Sequence, residues 1–356
     1  MEQLGVEIFS AGGELRALGS ALSELSVEIG VNLGGSLRVS LAAESAAGCE
    51  LAQLGAGAAV RLWRQDAAVG LGRTTFFTGM LTDWVWHWRG GGVLTVRAAG
   101  PVGRLGRRVV AWRAGLAGRT SFRSQPAETI MKALVGGNLG SAATVAQGRL
   151  LDGVQAGVSV APDQGRGPRL DWDCGGENLL LSLQRLSRVS GLDFDLRPAG
   201  GGYAFEVYPG GWGEDRSATV VFSLGRGNMG APEWRGRWSG TAAALVGGPD
   251  VGADRVWSVA RTAGYALGTN DGELFVNAAR LAGSAARIEW GGRALAEANT
   301  DLGFTCEPRQ TEGCVFGRDY GLGDWVSAEN PFNGTQTRMQ VRAARLTQVG
   351  AQARLA

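Results

Sequence analysis

Histidine and lysine are almost missing from this chain. Of its 356 residues one is histidine, His87, and one is lysine, Lys132. A zinc site built on two or three imidazoles is therefore excluded, and a histidine base can stand only at position 87. Cysteine is scarce as well. The four thiols (Cys49, Cys174, Cys306 and Cys314) show no C-x-x-C spacing, which argues against zinc ribbons and thioredoxin-like chemistry. Four cysteines in a chain this long are too few for a disulfide scaffold, so reduced and mostly buried thiols are expected. No apolar run approaches the ~18 residues needed to cross a bilayer. The first fifteen residues carry Glu2, Glu7 and Glu14 rather than the basic start of a signal peptide. The expectation is a chain made in a cytoplasm, without membrane insertion. No glycine pair is followed by Gly-Lys-Ser/Thr, so a phosphate-cradling loop is missing too. No cofactor and no metal is expected.

Apolar residues make up 44% and charged residues 19%, a globular balance far from that of disordered chains. The length suits two or three domains. Glycine is abundant, at 59 residues, but without the Gly-X-Y period of collagen. Net charge is +2, and it is spread evenly. Residues 1–111 hold 10 basic and 9 acidic groups, residues 112–225 hold 11 and 11, and residues 226–356 hold 14 and 13. A dedicated nucleic-acid binder concentrates its basic groups in a domain or tail, and none stands out.

Periodicity divides the chain in three. In residues 1–111, Val27, Ile29, Val31 and Leu33 alternate with small or polar residues. Gly34-Gly35 supplies a turn, and Leu37, Val39 and Leu41 resume the alternation. Period two marks half-buried strands, and the glycine pair suits a hairpin. Further strands are expected at 60–64, 74–88 and 93–98, which suggests a small barrel or sandwich. In residues 112–225 a helix is expected after Pro126, carried by Ile130, Met131, Leu134 and Val135 and ended by Gly136-Gly137. A second helix carries Leu179, Leu183, Leu186 and Val189 on one stripe and stops at Gly191. A hairpin follows, 192–196 against 203–207. Residues 226–356 return to strands, with a turn at Asn270-Asp271-Gly272, a short helix around 293–299, and strands at 339–346 and 349–355. The fold class is mainly β with a mixed α/β middle. Leu54-Gly55 before Val60 and Leu322-Gly323-Asp324 before Val326 form a faint internal echo, consistent with two β-barrel-like parts flanking the middle.

Candidate chemistry is sparse. His87 lies in Trp84-Val85-Trp86-His87-Trp88. On a strand the three tryptophans share one face, and Val85 with His87 share the other. His87 could pair with a cysteine in a hydrolase, but a surface or interface histidine is the ordinary reading. Asp171 and Asp173 share a strand face and could bind a hard cation or act as an acid/base pair. A solvated strand face with Trp172 buried is the simpler account. Between Asp83 and Glu128 there is no acidic residue and eight arginines: Arg89, Arg97, Arg104, Arg107, Arg108, Arg113, Arg119 and Arg123. Such a run either faces phosphate or an acidic partner, or pairs with carboxylates distant in sequence. The 12 tryptophans admit sugar stacking, although burial in cores and interfaces is their commoner use.

Several segments, in order, resemble the tail-tip (baseplate) hub or tail-associated family of siphovirus-type bacteriophages. They are 27–33, 54–62, Phe76-Phe77-Thr78-Gly79-Met80-Leu81, Leu105-Gly106-Arg107-Arg108, Pro126-Ala127-Glu128-Thr129-Ile130, 178–186, Phe205-Glu206-Val207-Tyr208-Pro209, Asp215-Arg216-Ser217 and 222–228. The most specific is Asp319-Tyr320-Gly321-Leu322-Gly323-Asp324-Trp325-Val326. The resemblance implies a structural, non-enzymatic protein of the virion tail tip. Its two β-barrel-like hub domains (1–111, and 226–356 with a short helical insertion) would flank the α/β middle, 112–225. It implies a homotrimeric ring that joins the tail tube or distal tail protein to a fibre or spike and lets the tape-measure protein and DNA pass. Many relatives continue into receptor-binding or peptidoglycan-cleaving extensions. The chain stops at Ala356, so the structural core alone is expected. A glycan-binding adhesin and, less favoured, a cell-wall hydrolase are the alternatives. In a hub, a channel that held phosphate tightly would slow DNA passage. Arg104, Arg107 and Arg108 are therefore expected at subunit or partner contacts, paired with carboxylates in the two-pronged manner of guanidinium groups. The motif 319–326 is expected to be a loop entering a strand.

Overall fold

The computed structural model describes every residue except 1, 56, 89–91, 115–117, 156, 211, 237–239, 249–253, 280, 282, 300–301, 350–351 and 356. The chain forms two compact units. Unit 1 comprises 1–104, 211–232 and 305–356, and unit 2 comprises 105–210 and 233–304.

Unit 1 is built on a nine-stranded antiparallel sheet. Its N-terminal strands are β1 (Gln3–Phe9), β2 (Leu15–Gly19), β3 (Leu22–Gly30), β4 (Ser36–Ala42), β5 (Ala59–Asp66), β6 (Leu71–His87) and β7 (Val93–Ala99). Two C-terminal strands, β21 (Ala343–Val349) and β22 (Gln352–Leu355), complete it in the order β2-β1-β5-β6-β7-β4-β3-β21-β22. The alternation read from sequence is the cause: Val27, Leu37, Val39, Leu41, Val60 and Leu62 are buried, while neighbours such as Arg38 and Ser26 face outward. Among the described residues the edge strands β2 and β22 do not pair with each other, so this sheet does not close into a barrel. Helix α1 (Ala46–Gln53) contributes Ala47 and Leu51 to the core. Ser45 caps it by accepting from the Gly48 N–H at 3.1 Å. A smaller sheet joins β13 (Val221–Phe222), β19 (Trp325–Glu329) and β20 (Gln336–Gln340).

Unit 2 mixes helices with short sheets. Strand β8 (Thr120–Pro126) pairs with β10 (Arg169–Cys174). Strand β9 (Val158–Val160) joins the hairpin of β11 (Leu192–Ala199) and β12 (Gly202–Pro209). Helices α2 (Ala127–Asn138) and α3 (Leu179–Ser190) bury the stripes expected of them. The third sheet places β15 (Thr241–Gly247) between β16 (Trp257–Arg261) and β17 (Gly272–Asn277), against helix α4 (Ser284–Ala298). Strands β14 (Met229–Gly236) and β18 (Leu302–Pro308) pair with each other, and residues 229–232 and 305–308 of them belong to unit 1. The structure is thus mainly β with a mixed α/β part, as expected.

Helix α2 ends at Asn138, one residue past the Gly136-Gly137 expected to end it. The short helix expected at 293–299 is the second half of the longer α4, which runs through Gly291-Gly292. One glycine of each pair is a packing glycine. A Cβ on Gly137 would lie 2.5 Å from the Trp112 ring, and one on Gly291 would lie 2.6 Å from Val246 Cγ2. Close approach of a ring or sheet outweighs the helix propensity that glycine lacks. Helix α1 and the first two strands were not singled out from sequence.

The single lysine sits in the best-defined polar cluster of unit 2. Glu128, fully buried in α2, accepts from Lys132 Nζ at 2.6 Å and from Arg166 Nε and Nη2 at 2.8 and 2.9 Å. Burial opposes the charge of Glu128. The hydrogen bonds from Arg166 and Lys132 overcome it and lower the carboxyl from 4.5 to about 2. A depressed carboxylate stabilises the fold above its unfolded value and loses that contribution as pH falls through the folded one. Glu128 is therefore expected to cost unit 2 about 3 kcal/mol of stability between pH 4.5 and 2. Denaturant unfolding followed by tryptophan fluorescence checks this. Glu128→Gln should abolish that share of the acid dependence and destabilise the protein at pH 7 by about 3–5 kcal/mol, because two cations lose their partner.

Candidate functional site

The most specific sequence marker, 319–326, folds as expected into a loop that enters a strand. β19 begins at Trp325, with Val326 buried and Trp325 half-exposed on the opposite face. Asp319 accepts from its neighbour Arg318 and from the Val315 N–H at 2.8 Å. The Arg318 bonds lead in holding its carboxyl below the ordinary value. Asp324 is the staple of the loop. One of its oxygens accepts from the Gly321 N–H at 2.8 Å, the other from the Glu214 N–H at 2.7 Å. Gly323, at φ +90°, turns the backbone between them.

Asp324 also explains a second marker. It fastens the segment carrying Asp215-Arg216-Ser217 beside β19, where Asp215 and Trp325 form a parallel bridge. Trp325 N–H donates to Glu214 O at 2.9 Å, and Arg216 N–H donates to Trp325 O at 2.8 Å. Arg338 of β20 completes the cluster, 3.0 Å from the Asp215 carboxylate and 4.0 Å from the Trp325 ring centre. Two markers about a hundred residues apart are therefore one structural joint of unit 1.

The tryptophan segment forms a second feature. Beyond Met80, strand β6 runs past the start of β5. Residues 83–87 pair with β7 on one side, and among the described residues no strand pairs with the other side. Trp84, Trp86 and Trp88 are 47%, 51% and 77% exposed, and Val85 and His87 on the opposite face are exposed as well. Trp86 and Trp88 meet edge to face, with ring centres 5.4 Å apart. Alternation placed the tryptophans on one face, but it could not show that neither face is covered. An open strand edge beside a large aromatic patch is a surface that folded proteins usually cover. Phe332, 89% exposed in the turn between β19 and β20, is a further apolar tip that the sequence reading missed.

The residues considered for catalysis lie apart in role. His87 is on this arm. Cys49 is exposed and its thiol faces Ala43 O, whereas Cys174 and Cys314 are buried. Burial pushes the Cys306 thiol up to about 12 and that of Cys314 to about 11. Asp173 takes both prongs of Arg123, at 2.9 and 3.1 Å, with Arg119 at 3.9 Å, and Asp171 accepts from the Ser124 N–H at 2.8 Å. Among the described residues no group of three or more His, Cys, Asp or Glu side chains is placed to hold a metal ion.

The acid-free arginine run is divided. Arg97 pairs with Asp83 at 2.8 Å, and Arg119 and Arg123 meet Asp173. Arg89 lies outside the described residues. Arg104 is half-buried at the end of the first segment of unit 1. In unit 2, Arg107 is exposed and Arg108 half-buried, and among the described residues neither has a carboxylate partner. Arg108 lies near the buried Arg149, whose guanidinium is shifted down by burial first and by the Arg108 charge second.

Removing the Asp324 staple tests the joint. Asp324→Ala leaves two backbone N–H groups without their charged acceptor and is expected to destabilise unit 1 by about 1.5–3 kcal/mol. Asp324→Asn, which keeps one acceptor oxygen, should lose less. Thermal unfolding of the two variants beside the parent checks the order.

Over 99% of its length the chain superposes on the 43 kDa tail protein of prophage MuSo2 from Shewanella oneidensis, covering 96% of that chain with a TM-score of 0.60 and 14% identity. A tail protein from Neisseria meningitidis MC58 gives a TM-score of 0.63 at 14% identity, with 99% and 95% of the two chains covered. The Escherichia coli c3393 protein is described as a component of the type VI secretion system with structural similarity to the T4 tail proteins gp27 and gp5. It gives a TM-score of 0.50 at 9% identity, with 94% and 72% covered. At these identities the likeness is one of fold. No curated protein matches the sequence. The family match is to the sequence itself and takes in 78–354, from the Thr78-Gly79-Met80-Leu81 strand through the 319–326 joint to the last hairpin. The chain belongs to the siphovirus ReqiPepy6 Gp37-like proteins, a phage tail-associated family.

Proposed function

We propose that this protein is a structural hub subunit of a phage tail tip. Three copies form a ring between the tail tube or distal tail protein and a fibre or spike, with a central passage for the tape-measure protein and DNA. The role is architectural rather than catalytic. Family membership and the tail-protein fold support a place in the tail. The observation that carries the assembly reading is the β6–β7 arm. Its open edge and exposed Trp84, Trp86 and Trp88 would be a liability on a free monomer and are suited to burial against a second protein chain. A head-to-tail contact repeated between copies closes into a ring when its rotation divides the circle. Arg107 and Arg108 supply charge for the same purpose. With no carboxylate of their own among the described residues, they suit an acidic group from a neighbouring chain. Arg104 is assigned to the same contact.

Two sets of variants test this. Trp84→Ser combined with Trp86→Ser is expected to leave the unfolding midpoint of the isolated subunit nearly unchanged, because both side chains are already half in water. Incorporation into tails should fall steeply. Arg107→Ala with Arg108→Ala should reduce assembly in a salt-sensitive way. Normal tail incorporation by both sets would contradict the assembly reading. Release of soluble fragments from peptidoglycan by the parent protein, lost in His87→Ala, would contradict the architectural one.

A further inference from the structure

Unit 2 holds a cavity of about 600 Å³ that the assembly role leaves unused. Helices α3 and α4 border it, with Asn277, Ala278, Ala279 and Leu281. Among the described residues three cations line it, Arg185, Arg188 and Arg293, and no acidic residue does. Two indole rings, Trp172 and Trp290, form part of its wall.

Two of these cations are paired and one is not. Arg185 is paired with Glu177 at 2.6 Å and Arg293 with Glu289 at 2.8 Å, but among the described residues Arg188 has no carboxylate partner. Arg293 Nη1 lies beside Gly191, at the C-terminal end of α3, and Arg188 is in the last turn of that helix. The carbonyl end of a helix favours cations, which helps to hold Arg188 there with no carboxylate partner among the described residues. The Asn277 side chain at the wall is already engaged: its Oδ1 accepts from Arg255 Nη2 at 2.9 Å and from the Ala279 N–H at 3.2 Å. A ligand here meets cationic donors at one side and aromatic and aliphatic surface at the other. The volume falls in the range of small-molecule sites.

We infer that this cavity binds a small organic acid, one carboxylate or phosphate carried on a six-membered ring. The anion would be held by Arg188 with Arg293 and Arg185, and the ring would lie against Trp172 and Trp290. A sugar acid and an aromatic acid share this chemistry, so both serve as probes.

The test is calorimetric titration of the intact protein with glucuronate, benzoate, glucose and inorganic phosphate at low salt. Either ring acid is expected to bind, and which one binds distinguishes a saccharide from an aromatic source. Glucose and phosphate should bind at least tenfold more weakly than that acid. Arg188→Gln is expected to weaken the ring acid roughly tenfold or more, with Arg188→Lys retaining part of the affinity. Arg188 is exposed, so both variants should fold, and an unchanged unfolding midpoint establishes that they do. No binding of either ring acid overturns the inference. So does phosphate binding as tightly as the acids, or an affinity indifferent to Arg188→Gln.

Discussion

Unit 1 depends on one long-range pairing. Strand β21 lies antiparallel to β3, from Ala343 opposite Gly30 to Val349 opposite Glu24, and β22 follows as the sheet's edge. That contact closes a loop of more than three hundred residues, in which all of unit 2 is contained. Closure entropy grows only slowly with length, by about 0.6 kcal/mol for each doubling. A large insertion is therefore tolerated once a well-folded unit shortens the effective loop. The edge of β3 then has a partner rather than an open row of backbone groups. Asp324 acts in the same unit at smaller scale, fastening the returning segment around Glu214 to the loop before β19.

Much of the fold was legible because residue spacing reports burial on one face. The alternation at Val27, Leu37 and Val39 and the stripe at Leu179, Leu183 and Leu186 led directly to strands and helix. What spacing cannot report is the partner. Gly137 and Gly291 must be bare because of the Trp112 ring and the Val246 side chain, partners that lie elsewhere in the chain. The final hairpin was expected as strands at 339–346 and 349–355, and only its bounds moved, to Ala343–Val349 and Gln352–Leu355, set by the pairing with β3.

The candidate sites follow the same rule. The markers at Asp215 and 319–326 could be read from sequence, but their union at the Asp215–Trp325 bridge could not. Asp171 and Asp173 looked like a carboxylate pair, yet Arg123 and the Ser124 N–H engage them. The tryptophans of 84–88 were visible at once. Only the end of β5 beside Met80 shows that they project on an arm with an open edge. Arg185, Arg188 and Arg293 carried no signal, since the helices that bring them to one cavity are about a hundred residues apart in sequence.

The central claim is that this subunit works by assembly into a ring of three in the tail. Electron cryomicroscopy of assembled particles tests it most directly, by counting copies around the tail axis and locating the β6–β7 arm. The account predicts three copies, with Trp84, Trp86 and Trp88 buried against another chain. Any other copy number, or an arm left bare in the assembled tail, would contradict it.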